Sequence, residues 1–375
     1  MIGGRRSVEV QRYGRGLEGL VAGESAISRI DGALGRLSIR GHAIEDLAAA
    51  RSFEEVSHLV LFGALPDEAA LSAWTAELAR WRRPPGEALA ALGRVPRRAH
   101  PLAKYRTMLT VAACLAPAAE QPDDDPRWSR PARILSWSAS LAAAAIRHLN
   151  GEAPLDPDDA SLSHAAAFLH RTLGRAPDAL ELRAFEASLI VQIEHGLHAA
   201  ALAALTVIST GADLGSAVLA GMGALSGVRH GGANQLAFER LARLGDEAAA
   251  RRWAVEALAR RERIPGFGHR VYRCPDPRVR VLEPHAEALL EAHGLGERYR
   301  VYLALRAEVE RALSPRGIFA NVDGITGLIY HPLGLPPSAF TIPFCLAIQT
   351  GWMAHCLEYT PGGAMIEPGA VYLGR

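Results

Sequence analysis

The sequence predicts an all-α protein, and three observations carry that prediction. Apolar residues recur at helical spacing in nearly every segment. Only residues 32–39 suggest strand, as one small hairpin. Repeated strand–helix units and Walker motifs are missing from the sequence, which argues against Rossmann and TIM-barrel architectures. The 375 residues suffice for two domains and a large core.

Taken in order, residues 44–62 read as helix in two pieces, the second opened by a capping box of Ser52 with Glu55. Helices follow over 67–81, 131–149, 161–173 and 182–204. The run 199–228 is apolar enough to resemble a membrane span. Ser209-Thr210-Gly211-Ala212-Asp213 interrupts it, which reads as a helix end and a capped restart. Its many small residues suit a buried core or a subunit interface. Further helices are expected over 213–225, 235–244, 247–262, 277–293, 299–313 and 337–358. Loops fall at 117–128, 151–159, 264–277 and 314–327. The last two hold most of the chemically interesting residues, and loops held on a rigid scaffold are where function concentrates.

A net charge of +1 gives no reason to expect nucleic acid or an anionic membrane as partner, so an anionic ligand must be met by local basic residues. Cys114, Cys274, Cys345 and Cys356 form no CxxC pair and no zinc spacing, and are expected as reduced thiols in a cytoplasmic protein. Residues 1–15 lack the apolar stretch of a signal peptide.

Four clusters carry chemistry. His195 and His198, spaced i, i+3, would share a face of the 182–204 helix, as packed core histidines or, with a third ligand not evident, a metal pair. His230-Gly231-Gly232 opens the next helix. A neutral His there could donate to a developing oxyanion, or could simply begin a Gly-rich helix. The loop Gly266-Phe267-Gly268-His269-Arg270-Val271-Tyr272-Arg273, followed by Asp276-Pro277-Arg278, concentrates three arginines and a histidine into an anion site, against the alternative of a solvated basic loop. Asn321-Val322-Asp323-Gly324 offers either a part-buried general base or an ordinary Asx turn or helix cap.

Together these motifs resemble the citrate synthase family. The resemblance runs over nearly the whole chain: Gly16-Leu17-Glu18-Gly19, Ile30-Asp31-Gly32, residues 37–47 and 52–66, the stretch 161–198, the block from Ser209 to Asn234, GFGHRVY, DPR and NVD. It implies an all-α citrate synthase fold. Residues 1–222 with 321–375 would form a large helical domain, and 223–320 a smaller one carrying the CoA loop, with the site in the cleft between them. It also implies a homodimer. By resemblance Asp323 would remove a proton beside the thioester, His230 would stabilise the enolate, and His269 would polarise and protonate the acceptor carbonyl. His195, His198 and Arg278 would bind the acceptor. Arg273, Gly266, Phe267 and Gly268 would meet CoA. Acetyl-CoA and CoA would be substrate and product, with no permanently bound cofactor and no metal.

Four positions depart from the family pattern. Ile348 stands where an oxaloacetate-binding arginine is usual, three residues before Gly351. Glu367 replaces the first arginine of a C-terminal IRPR element that reaches a partner's acceptor. His198 replaces an asparagine, while Arg229 before His230 replaces a leucine and offers a compensating cation. Each lost charge-assisted hydrogen bond is worth about 1.5–3 kcal/mol. The expectation is therefore an intact acyl-CoA half and a remodelled acceptor half. The alternatives are an ordinary citrate or 2-methylcitrate synthase with compensating contacts, or a non-catalytic CoA-binding paralogue.

Overall fold

The computed structural model describes residues 15–17, 20–116, 126–156 and 160–369. The signal-peptide reading of the N-terminus, most of the 117–128 loop, residues 157–159 of the next loop, and Glu18 and Gly19 of the family-like opening lie outside the described residues.

One small antiparallel sheet precedes the helices: β1 (Ser28–Asp31), β2 (Arg36–Ile39) and β3 (His42–Ala43). Ser28 pairs with Ile39 and Asp31 with Arg36. The hairpin expected over 32–39 therefore starts at Ser28, because residues 32–35 are its turn. Gly32 is a platform for the basic loop: its carbonyl accepts the Arg273 N–H at 2.9 Å, and a Cβ there would fall 2.3 Å from the Val271 carbonyl oxygen.

α1 (Ile44–Ala50) and α2 (Phe53–Phe62) are the two expected pieces, joined at a complete Ser52–Glu55 capping box. Asp67 caps α3 (Glu68–Arg80). The sequence reading does not anticipate α4 (Gly86–Ala90) or α5 (Pro101–Cys114). In α5, Lys104 lies on the buried face and donates to the Arg97 carbonyl, which interrupts the apolar stripe that periodicity seeks. α6 (Pro126–Asn150) and α7 (His164–Leu173) follow as expected.

The single helix expected over 182–204 is instead two, α8 (Ala179–Val191) and α9 (Ala199–Ile208). Periodicity misses the break because buried residues continue through it from Val191 to Glu194. Local bonds make it. Gly196 takes a left-handed φ of 68°. The buried Glu194 carboxylate accepts the Gly196 N–H at 2.6 Å, and His198 takes the N-cap position of α9, its Nδ1 lying 3.3 Å from the Ala200 nitrogen. His195 and His198 thus do not share a helical face: the first lies in the turn, the second at an N-cap.

Asp213 caps α10 (Leu214–Leu225), the restart expected after the Ser-Thr-Gly break. α11 (Ala233–Ala242), α12 (Glu247–Ala259), α13 (Pro277–Ala292), α14 (Gly296–Leu313) and α15 (Val322–Tyr330) lead to α16 (Thr341–Tyr359). α16 packs against α2, α6, α8, α9 and α10 and is the centre of the core. Residues 337–359 are long and apolar enough to cross a membrane, but 89% of that window is buried inside the protein, as in a core helix. A Cβ on Gly221 of α10 would come within 2.6 Å of the Trp352 ring, so glycine lets α10 close onto α16.

Candidate active site

The break between α8 and α9 is the meeting point of four elements: the loop before α13, the turn before α11, the start of α15 and the middle of α16.

The Gly-rich loop is stitched to the residues before α15. Gly268 N–H donates to Phe319 O at 2.8 Å, Asn321 N–H to Gly266 O at 2.9 Å, and the Asn321 amide to Gly268 O at 2.7 Å. Phe267 bridges Ala320. Gly266 has φ 85°, and a Cβ there would fall 2.9 Å from the Gly324 Cα. Backbone approach this close brings the loop beside Asp323.

His269 is held in one tautomer. Its Nδ1 accepts both the Val271 and Tyr272 N–H groups, at 3.0 and 3.1 Å. Neutral imidazole then carries its proton on Nε2. Burial, then the Arg278 charge, lowers its pKa to about 4, so it is neutral at pH 7. Nη2 of Arg278 stands 3.4 Å from that Nε2. Two N–H donors facing each other do not bond; they converge on a place for an oxygen.

Arg278 is 4% exposed and paired with Asp276 through two bonds, Nη2 to Oδ2 at 2.7 Å and Nε to Oδ1 at 2.9 Å. Asp276 also caps α13, with Pro277 in the first helical position. His195 meets the Tyr272 hydroxyl at 3.2 Å, and its ring lies 5.1 Å from that of His269. Burial and the Arg278 charge hold His195 well below the usual histidine range.

On the other side, Nε2 of His230 is 3.2 Å from Nδ1 of His198, and the Trp352 indole N–H donates to Nε2 of His198 at 3.4 Å. Burial lowers both pKa values, that of His198 to about 3. Asp323 completes the group. Asn321, not Asp323, caps α15, accepting the Asp323 N–H at 3.0 Å. That leaves the Asp323 carboxylate with no hydrogen-bond partner among the described residues. Burial raises its pKa to about 6, opposed by the charge of Arg278.

Of the residues singled out from sequence, His195, His198, His230, His269, Arg278 and Asp323 come together with the Gly266–Gly268 loop. Arg273 is exposed at the rim, its guanidinium folded onto the His269 and Tyr272 carbonyls. Arg229 is exposed too. Ile348, 1% exposed, lies one turn before Trp352 on α16. Glu367 is exposed, next to Ile366, whose N–H donates to Ser209 Oγ at the far end of α9. That end is ~15 Å along the helix from His198, at about 1.5 Å per residue, so Glu367 does not join this chain's own cluster.

Sequence reasoning passes over Tyr272, Asp276, Trp352 and the buried pair Glu194–His355, joined at 2.8 Å. The D-P-R order signals Asp276 as a helix cap, and a histidine inside an apolar helix signals His355. Nothing local marks Tyr272 or Trp352. Among the described residues, no three His, Cys, Asp or Glu side chains are grouped to hold a metal.

A family model described as "Citrate synthase, C-terminal domain" matches residues 16–369. A 2-methylcitrate synthase of Mycobacterium tuberculosis is 36% identical over 365 residues, covering 96% of this chain and 90% of its own. A citrate synthase of Haloferax volcanii is also 36% identical, covering 96% of each chain. Among solved structures, citrate synthase from the archaeon Thermoplasma acidophilum, in ternary complex with carboxymethyl coenzyme A and oxaloacetate, superposes with a TM-score of 0.90 at 29% identity, covering 96% of each chain.

Proposed function

The chain belongs to the citrate synthase family, and on that premise we propose that it condenses an acyl-CoA with a 2-oxo acid such as oxaloacetate and hydrolyses the resulting thioester to release CoA. The observation that carries this reading is Asp323. An unpartnered carboxylate with its pKa raised to about 6 is a base poised near neutral pH. It stands in one cleft with a histidine locked as an Nε2–H donor and a buried arginine.

Asp323 takes a proton from the acyl carbon next to the thioester carbonyl. The electron pair moves to the carbonyl oxygen, where a His230 N–H stabilises the enolate. The enolate carbon attacks the acceptor's keto carbon, and that carbonyl oxygen, between His269 Nε2–H and Arg278, receives a proton from His269. Water then cleaves the thioester and the CoA thiol leaves. His195 and His198 border the acceptor, and Arg278 pairs with its carboxylate. The Gly266–Phe267–Gly268 backbone and Arg273 hold CoA, which enters as thioester and leaves as thiol. No permanently bound cofactor takes part. Residues 223–320 form the smaller unit that closes over the cleft. The working form is a cytoplasmic homodimer.

The acceptor half is remodelled in this reading. Ile348 supplies no cation, and Glu367 carries the wrong charge to reach a partner's dianionic acceptor. A 2-oxo acid with one carboxylate, or with an apolar or cationic tail, suits these residues better. Equal identity to a 2-methylcitrate synthase and a citrate synthase favours testing propionyl-CoA beside acetyl-CoA. The test is thiol release from both thioesters, with oxaloacetate and then a panel of 2-oxo acids, and Asp323→Ala as control. Release that depends on Asp323 supports the condensation. Fast release with dilute oxaloacetate overturns the remodelled acceptor but not the chemistry. If no acceptor gives release, and Asp323-dependent proton exchange at the acyl carbon is also absent, the chain binds CoA without catalysis.

A further inference from the structure

His198 and His230 face each other directly, and only some placements of their two protons satisfy the surroundings. Trp352 is fully buried, and its indole N–H donates and never accepts. Its one partner is Nε2 of His198, 3.4 Å away. That nitrogen must then be unprotonated, and neutral His198 carries its proton on Nδ1. Nδ1 lies 3.2 Å from Nε2 of His230, which accepts it. His230 in turn carries its own proton on Nδ1. That nitrogen has no protein partner among the described residues, and it is absent from the buried polar atoms left unbonded, so it remains open to the cleft.

The Ala200 N–H, 3.3 Å from the same His198 Nδ1, pulls the other way. It is outweighed. In the opposite tautomer the Trp352 and His198 N–H groups would confront each other at 3.4 Å. A buried donor left unmade costs about 1–3 kcal/mol, and the first tautomer leaves one such donor while the second leaves two.

We propose that His198 is a positioning residue: Trp352 sets its tautomer, and His198 in turn fixes His230 with its free N–H, on Nδ1, aimed into the cleft. The consequence for function rests on the reading of His230 as the enolate stabiliser. The chain of donors runs indole to imidazole to imidazole and ends at the atom that would meet the thioester oxygen. His198 then acts through His230 rather than on the acceptor.

The test is long-range ¹H–¹⁵N correlation on ¹⁵N-labelled, full-length protein at neutral pH. His198 and His230 should both appear as Nδ1–H tautomers. Trp352→Phe keeps a ring in the core but removes the donor. It should flip His198 to Nε2–H and His230 with it, lowering kcat roughly 10²-fold, the effect of losing one oxyanion donor, with KM little changed. His198→Ala should lower kcat likewise. His198→Asn should restore it, because an amide can accept from Trp352 through Oδ1 and donate to His230 through its nitrogen. A His198 resonance of the Nε2–H type in the unaltered chain, or unchanged tautomers in Trp352→Phe, would overturn the proposal. If the tautomers are as assigned and no acyl-CoA condensation is found, the proposed reaction fails while the tautomer assignment stands.

Discussion

Two halves of the cleft are built on different principles. Around His269 and Arg278, the two central groups are each fixed by neighbours close in sequence: His269 by the N–H groups of Val271 and Tyr272, and Arg278 by Asp276. Around His198 and His230 the contacts are between side chains, at 3.2–3.4 Å, from α9, α16 and the turn before α11. The first half keeps its geometry if the rest of the protein shifts. The second keeps it only while three distant elements stay packed. Backbone donors cannot swing away, whereas side-chain donors can, so the second half is the easier one to alter by substitution.

Five measurements break or sharpen that contrast. Asp323→Asn should lower kcat about 10²–10⁴-fold, the range for removing a general base, as read from thiol release. The same change should raise the melting temperature. The fold favours the neutral acid, so native protein binds more protons than unfolded between pH 3.8 and about 6. Stability from this residue is therefore lost as pH rises through that window. The variant's gain, about 3 kcal/mol at about 1.36 kcal/mol per pKa unit, should be full above pH ~6 and vanish below ~4.

Asp276→Ala strands the buried Arg278 cation. Breaking such a pair costs about 3–5 kcal/mol, and chemical denaturation should show it. A cost near zero would mean the first half is not held as rigidly as its distances imply. Ile348→Arg puts a cation on α16 one turn before Trp352, the test of the proposed remodelled acceptor half. With one charge-assisted bond worth about 1.5–3 kcal/mol, KM for oxaloacetate should fall roughly 10–100-fold. No change in KM with an intact fold would show that α16 does not set acceptor choice.

The pH profile comes next. With Asp323 as the proposed base, active as carboxylate, kcat/KM should fall tenfold per unit below its pKa of about 6. Glu367→Ala should have the smallest effect on this chain's own cluster, from which it is remote. Any gain in oxaloacetate affinity would have to come through a partner subunit.

The contrast also explains what was legible in the sequence. His269, Arg278, Asp323 and the two loop glycines sit in short local motifs, and the family resemblance gives them their roles. The Ser52–Glu55 box and the Asp213 cap were readable for the same reason. Tyr272 and Trp352 were not. A tyrosine in a loop and a tryptophan in a core helix look ordinary until packing places them against His195 and His198. The break at residues 192–198 was hidden because the chain is buried on both sides of it, and periodicity reports only a change between buried and exposed faces. The i, i+3 spacing of His195 and His198 then suggested a shared face that the Gly196 turn abolishes.

The pairing of Arg278 with Asp276 has one more consequence, for how a substrate is drawn in. The buried part of the cleft holds neutral imidazoles, one arginine and two aspartates. The arginine's charge is already cancelled by Asp276, which leaves Asp323, and Glu194 beside His355, as the interior's other carboxylates. An anionic acceptor arriving from solvent meets no focused positive field from this interior. Its capture then depends on short-range hydrogen bonds and shape, and its association rate should vary little with ionic strength, unlike a reaction steered by long-range attraction.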